Sequence, residues 1–159
     1  MDDVAIRPVT EDDLDTLFEQ QRDEEAVRRS TVTPRDRDAF FAHWHTKVLG
    51  DPTVLVRTVT VDGEVAGSVV SWWAADGRRF VGYWLGRAYW GRGVGTRAVR
   101  LFLEGEPTRP LYADPYEGNT ASVRLLEGCG FVREGTVRHD DIDYALLVLR
   151  DAAPRSHIA

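Results

Sequence analysis

The chain has 159 residues, 43% of them hydrophobic and 29% charged, with a formal net charge of −6. That length carries one domain with its own core over residues 1–151, followed by a tail at 152–159 that frays. No apolar run approaches the ~20 residues that span a bilayer. The acidic start M-D-D-V-A-I-R lacks the basic-then-apolar pattern of a secretory signal. A lone cysteine, Cys129, excludes an internal disulfide framework and a Cys-rich zinc site. The expectation is a cytoplasmic protein with no metal and no nucleic-acid or membrane partner, since the chain is acidic and its basic pairs Arg28-Arg29 and Arg78-Arg79 are isolated.

A short strand is predicted at Val4–Val9. Thr10-Glu11-Asp12-Asp13 then reads as a helix start, with an N-cap hydroxyl and acids in the first turn. Leu14, Leu17 and Phe18 recur at helical spacing, and this helix is expected to reach Glu24, Glu25 and Arg28 near its end. Thr33-Pro34-Arg35-Asp36 reads as a second helix start with proline at the first helical position. Phe40, Phe41, Trp44 and Val48 give that helix an apolar face. The period then changes to two. Thr53–Val61, Glu64–Trp73 and Arg79–Gly86 read as an antiparallel meander, turning at Asp62-Gly63 and Asp76-Gly77. A helix follows to about Leu103, ended by Gly105 and Pro107. Pro110–Tyr116 is a strand, Asn119–Glu127 a helix, and Phe131–Arg138 and Ile142–Leu149 close the chain as strands. The order is β-α-α-β-β-β-α-β-α-β-β.

Residues 89–97 read Y-W-G-R-G-V-G-T-R, three glycines immediately before a helix. Glycine is a poor choice there unless something must approach the backbone. Three readings compete. One is a phosphate cradle of backbone N–H groups at a helix N-terminus. Another is a dinucleotide fingerprint, which needs G-x-G-x-x-G in an opening βαβ unit rather than G-x-G-x-G after a meander. The third is a tight turn with close helix packing. A P-loop is excluded because no Gly-Lys-Ser/Thr follows.

A second block decides between them. N-T-A-S-V-R-L-L-E-G-C-G-F at 119–131 resembles the N-x-x-(A/S)-…-E-x-x-G-F block of the GCN5-related N-acetyltransferase (GNAT) superfamily. W-G-R-G-V-G at 90–95 resembles that superfamily's (Q/R)-x-x-G-x-(G/A) loop. A helix and a strand lie between the two blocks, as in the superfamily, and Arg7-Pro8 before T-E-D-D-L resembles its opening. The resemblance covers nearly the whole chain and is nearest to the ribosomal-protein-alanine and aminoglycoside acetylating branches. It implies an α/β fold: a mixed, mostly antiparallel sheet of about seven strands, splayed in the middle and flanked by about four helices.

The resemblance also implies an acetyltransferase that passes an acetyl group from acetyl-CoA to a primary amine by direct attack in a ternary complex. The diphosphate would be held by Gly91, Arg92, Gly93, Val94, Gly95 and Thr96, with added charge from Arg97. Tyr83, Trp84 and Leu85 would contact the pantetheine arm, and the Leu85 N–H would serve as oxyanion donor. Asn119 is an N-cap by position and, by resemblance, a pantetheine contact. The tyrosine that many members use as acid is here Leu126, so Ser122 becomes the candidate acid, unless the thiolate leaves unaided. His139, Asp141 and Asp143 near the last hairpin are candidates for the base or for amine binding, beside a water chain to bulk. Glu24, Glu25 and Arg28 are expected at the acceptor mouth. Trp72, Trp73 and Trp84 serve as sheet packing or as walls of an acceptor cleft. A small-molecule amine is the favoured acceptor. The alternatives are a protein N-terminus and an acyl-CoA-binding sensor without activity. A homodimer is compatible with all three.

Overall fold

The computed structural model describes residues 2–151; the tail expected to fray, 152–159, lies outside them. Strand β1 (Val4–Arg7) is followed by helices α1 (Asp13–Gln21), α2 (Glu24–Ser30) and α3 (Arg37–His43), the last running into one π turn at Trp44–Val48. The meander is β2 (Leu55–Val61), β3 (Glu64–Trp73) and β4 (Arg79–Leu85). Then come α4 (Val94–Glu104), β5 (Leu111–Ala113), α5 (Thr120–Gly128), β6 (Val132–His139) and β7 (Ile142–Leu149). The seven strands form one sheet in the order β1-β2-β3-β4-β5-β7-β6. Every neighbouring pair is antiparallel except β4–β5. The expected mixed, mostly antiparallel sheet of seven strands is therefore present, with five α-helices among the described residues where about four were expected.

The hairpin turns follow their residues. Asp62 and Gly63 have φ of 51° and 85°, the mirror-image turn that suits strand twist. Asp140 and Asp141 adopt the same left-handed region, φ 51° and 65°, at the tip of the β6–β7 hairpin.

The first helices differ from expectation because carboxylates outcompete the predicted caps. Asp13 turns its side chain back to accept the Thr10 N–H at 2.9 Å, so the threonine is capped rather than capping. Asp23 leaves the helical region (φ −59°, ψ 127°) and its carboxylate accepts the Ala26 N–H at 3.0 Å. That fresh N-cap splits the expected single helix into α1 and α2. Asp36, not Thr33, caps α3 by accepting the Ala39 N–H at 2.8 Å, which leaves Pro34 outside the helix. Strand β1 stops at Arg7 because Pro8 has no N–H for the ladder.

Two large cores sandwich the sheet, with a smaller cluster of Phe80, Tyr112, Leu146 and Val148 beside them. One joins β2, β3 and β4 to α4 and α5 through Val59, Val69, Val81, Val99, Phe102 and Leu126. The other packs Leu14, Leu17, Phe18, Phe40 and Trp44 of α1, α3 and the π turn on the opposite face. Each carries one deeply buried carboxylate. Asp13, 3% exposed, takes both Arg7 guanidinium nitrogens (2.8 and 2.9 Å) and the Thr58 hydroxyl (2.8 Å). Glu106, 2% exposed, accepts from Arg79 at 3.0 Å, from the Thr108 N–H at 3.1 Å and from the Ser71 hydroxyl.

Burial alone would push the Asp13 carboxyl up, but Arg7, the Thr10 N–H and the Thr58 hydroxyl outweigh it and bring the pKa down to about 2. A depressed folded pKa gives stability above the unfolded value, lost as pH falls through the folded one. Urea unfolding should therefore lose about 2 kcal/mol between roughly pH 4 and 2. Asp13→Asn should remove that portion of the dependence, and an unchanged pH profile would refute the assignment. At Glu106, Glu106→Gln leaves the Arg79 charge buried without its partner and should cost about 3 kcal/mol in the same assay.

Candidate active site

Strands β4 and β5 pair over only two positions, Arg79 with Leu111 and Phe80 with Tyr112. Beyond Phe80 they diverge, so β5 ends at Ala113, short of the expected Tyr116. Its continuation follows β7 instead: Ala145 donates to Pro115 and Glu117 to Asp143, both at 2.9 Å. A cleft of about 1020 Å³ fills the space between.

The register of β3 fixes which amides face that gap. Gly86 N–H donates to the Ala66 carbonyl at 2.9 Å, and Trp84 and Gly82 stand opposite Ser68 and Val70. Because hydrogen-bonded pairs alternate along an antiparallel ladder, the backbone groups of Tyr83 and Leu85 point away from β3 and into the gap. The Leu85 carbonyl is taken by the Trp90 indole at 3.1 Å; its N–H is left facing the cleft. Side chains alternate too. Tyr83 points to α5, and Trp84 points to α1, where its indole donates to the Gln20 carbonyl at 2.9 Å.

The three glycines of the loop have two different reasons to be there. Gly91 and Gly93 sit at φ 73° and 74°, where a side chain is strained, although a Cβ on either would touch nothing. A Cβ on Gly95 would come within 2.6 Å of Leu125 Cδ1, so that glycine lets α4 pack against α5. Gly93 is the N-cap of α4 and contributes no side-chain cap. The first N–H groups of that helix, from Val94 to Thr96, are thus open donors at the positive end of its dipole.

Asn119 caps α5, its side-chain oxygen accepting the Ser122 N–H at 3.3 Å. Ser122 Oγ in turn accepts the Tyr83 hydroxyl at 3.0 Å. Burial pushes the Tyr83 phenol up, with Ser122 a smaller opposing influence, so it stays protonated. Leu126 is 3% exposed and belongs to the core.

The side chain most clearly at the gap was not singled out from sequence. Asp114 follows the last residue of β5 and borders the cleft with Tyr83, Leu85, Ser122 and Tyr144. By surface area it is an exposed residue, although protein atoms crowd its carboxyl group. That crowding raises its carboxyl above the ordinary value, and its own backbone N–H and Arg78 offset this only in part. The signal in the sequence was an acid at the carboxyl end of a strand where neighbouring strands part.

Several expected site residues stand elsewhere. Arg92 is committed to Asp2, at 2.6 and 3.1 Å, and does not border the cleft. Arg97 bonds the Asp2 carbonyl at 2.8 Å. On α2, the face toward the cleft is Ala26, Arg29 and Ser30. Glu24, Glu25 and Arg28 turn away, because the new cap at Asp23 sets a different helical phase, and Glu25 instead pairs with Arg28 and Arg29. Arg29 lies over the Trp90 ring, 4.7 Å from its centroid. On the last hairpin, Tyr144 faces the cleft, so its neighbour Asp143 faces away and pairs with Arg138 at 3.2 Å. Asp141 is a turn residue, and His139 is exposed beside Asp140 at 3.4 Å.

The family model of the acetyltransferase (GNAT) domain matches residues 3–132, and the chain belongs to that family. It is an acetyl-CoA-dependent N-acetyltransferase fold in its relatives as well. The aminoglycoside N(6')-acetyltransferase type 1 of Klebsiella pneumoniae is 29% identical over 161 residues, covering 88% of this chain and 79% of that protein. A solved aminoglycoside acetyltransferase in complex with coenzyme A is 26% identical, with a TM-score of 0.79 over 95% of this chain and 96% of that one. Another, with coenzyme A and kanamycin bound, is 25% identical, with a TM-score of 0.78 over 95% and 96%. The open amides of α4, the glycines that clear the approach to them and the free backbone groups of β4 fit such a cofactor.

Gly93→Asp would place a carboxylate among those donors; its Cβ meets nothing, and the strain that any side chain meets at a φ of 74° is carried equally by the uncharged control Gly93→Asn. Calorimetry should show acetyl-CoA affinity reduced at least about tenfold. An unchanged affinity would remove the loop from cofactor binding.

Proposed function

We propose that this N-acetyltransferase acts on a small-molecule primary amine, by direct attack on acetyl-CoA with no covalent enzyme intermediate. The observation that carries the reading is Asp114, an uncapped carboxylate in the same gap as the Leu85 N–H. When bound, acetyl-CoA supplies an acetyl thioester. The Val94, Gly95 and Thr96 amides would hold its diphosphate end, and the free β4 backbone groups at Tyr83 would hold its amide-bearing arm. Leu85 N–H donates to the carbonyl oxygen, where negative charge develops during attack.

Asp114 attracts the protonated amine and takes its first proton, which passes to bulk water; the neutral nitrogen then attacks, the C–S bond breaks, and Asp114 takes the second proton from that nitrogen as the amide forms, which through water restores the proton given to the sulfur. The Tyr83–Ser122 hydroxyl pair returns a proton to the departing sulfur. Tyr83 takes the place that the superfamily tyrosine, absent at Leu126, would have filled. Cys129 is no rival nucleophile: its thiol is buried, pushed up by that burial, and directed at the Thr96 carbonyl. Kanamycin in a relative's complex supports a small amine as the acceptor class.

Release of free CoA from a panel of primary amines tests the activity directly. Asp114→Asn should lower kcat/KM about a hundredfold or more while leaving acetyl-CoA affinity intact. Because the carboxyl is raised, the wild-type rate should fall as pH drops through that raised value, and Asp114→Asn should lack this acidic limb. Retention of both rate and limb would exclude Asp114 as the base.

A further inference from the structure

A second cavity, of about 740 Å³, opens on the α1–α3 face of the sheet. Trp72, Gly82, Tyr83 and Trp84 border both it and the cleft, so the two spaces meet at the β4 segment where the thioester would lie. Its walls are aromatic and aliphatic: Phe40, Trp44, Val70, Trp72, Trp73 and Trp84. Trp73, at its edge under the Arg79 guanidinium, keeps 50% of its surface exposed.

The polar groups at this cavity have one sign in excess. Arg35, His43 and Lys47 border it against a single carboxylate, Asp51. Asp51 is already engaged: the Thr53 N–H and hydroxyl both donate to it, at 2.9 and 2.7 Å. Among the described residues, neither Arg35 nor Lys47 holds an ion pair or hydrogen bond, whereas most arginines of this chain do. The two cations are close enough to His43 to depress it, after burial. In a chain of net charge −6, unpaired cations gathered at an apolar cavity are a specific feature.

We infer that the second cavity receives the far end of the acceptor, and that this end is an apolar, ring-bearing body carrying a carboxylate. The inference rests on the acetyl-transfer reading for the position of the amine. The acceptor's ammonium meets Asp114 in the gap, its ring lies among the tryptophans, and its carboxylate meets Arg35 and Lys47. Arg35 and Lys47 are exposed, so the charge contact is screened by solvent and its contribution is modest. A polycation would set its second ammonium against like charges, a repulsive element that selects against it.

Three matched amines test this: 4-(aminomethyl)benzoate, 4-methylbenzylamine and 1,4-bis(aminomethyl)benzene. They share one ring and one aminomethyl nucleophile, with a carboxylate, a methyl or a second, equivalent aminomethyl group para to it, so the diamine's rate is read per amine. Both CoA release and equilibrium binding, read from tryptophan fluorescence with CoA present, should favour the carboxylate over the methyl compound by about fivefold, with the diamine weakest. The preference should collapse in Arg35→Gln/Lys47→Gln and reverse toward the diamine in Arg35→Glu/Lys47→Glu. Both sites are exposed, so the fold should survive, and circular dichroism checks it. Equal or tighter binding of the diamine to the wild type, or a preference unmoved by the variants, overturns the inference. Selective binding of the carboxylate compound without CoA release sustains the inference and instead sinks the acetyl-transfer reading.

Discussion

Strands β4 and β5 are parallel for two residue pairs and then part, and everything in the cleft depends on that short contact staying closed at its root. The root is held by ions. Arg79, at the first pair, donates to Glu106 at 3.0 Å, to the Ser71 hydroxyl at 3.1 Å and to the Thr53 carbonyl at 2.7 Å. Those partners come from the end of α4, from β3 and from the approach to β2. One guanidinium thus ties four segments together at the point where the sheet divides. Burial penalises the Glu106 carboxylate, but its three donors outweigh that and hold it ionised. A hydrophobic pair could fill the same volume, yet it would lack the directional bonds that fix where β4 stops pairing and the gap begins.

Given the gap, β4 divides the work between its two faces. Period-two alternation sends Tyr83 to α5 and Trp84 to α1, while the amides of Tyr83 and Leu85 lie in the plane between. A donor approaching along α4 and α5 and an acceptor approaching along α1 to α3 can therefore reach the same backbone N–H from opposite sides. Neither has to pass the other. The proposed direct attack would use this geometry, which a strand fully paired on both edges could not supply.

The parts of this arrangement that were legible in the sequence are those set by neighbours along the chain. Asp62-Gly63 forms its turn because both residues tolerate positive φ; Asn119 caps α5 because its side chain reaches three residues on. The loop at 91–95 was visible as a cluster of glycines, although only two of them serve the backbone conformation and the third serves packing against Leu125. What the sequence did not disclose depends on contacts across the fold. Asp23 ends one helix and starts another while also holding Arg87, at 2.8 and 3.1 Å, some sixty residues away. That rephasing moved Glu24, Glu25 and Arg28 off the cleft and brought Ala26, Arg29 and Ser30 onto it. Asp114 carries no local motif at all; its importance comes from where β5 leaves β4.

The same logic explains how the chain manages without a tyrosine at Leu126. That position lies on the buried side of α5, among the residues that pack the core. A leucine there strengthens the packing of α5 but removes a hydroxyl from the cleft. The phenol of Tyr83 enters the same region from the opposite wall, on β4, and meets Ser122 one turn into α5. Its burial keeps it protonated and so available as a donor on the proposed mechanism, while making it a weaker acid that the hydrogen bond to Ser122 offsets in part. A proton donor on the strand is also more rigidly placed than one on the helix, because β4 is anchored at Arg79 and its register is fixed by β3. On the proposed mechanism, the splay places the two groups of the proton path together: the carboxylate that would take a proton where β5 ends, and the phenol that would give one where β4 is left unpaired.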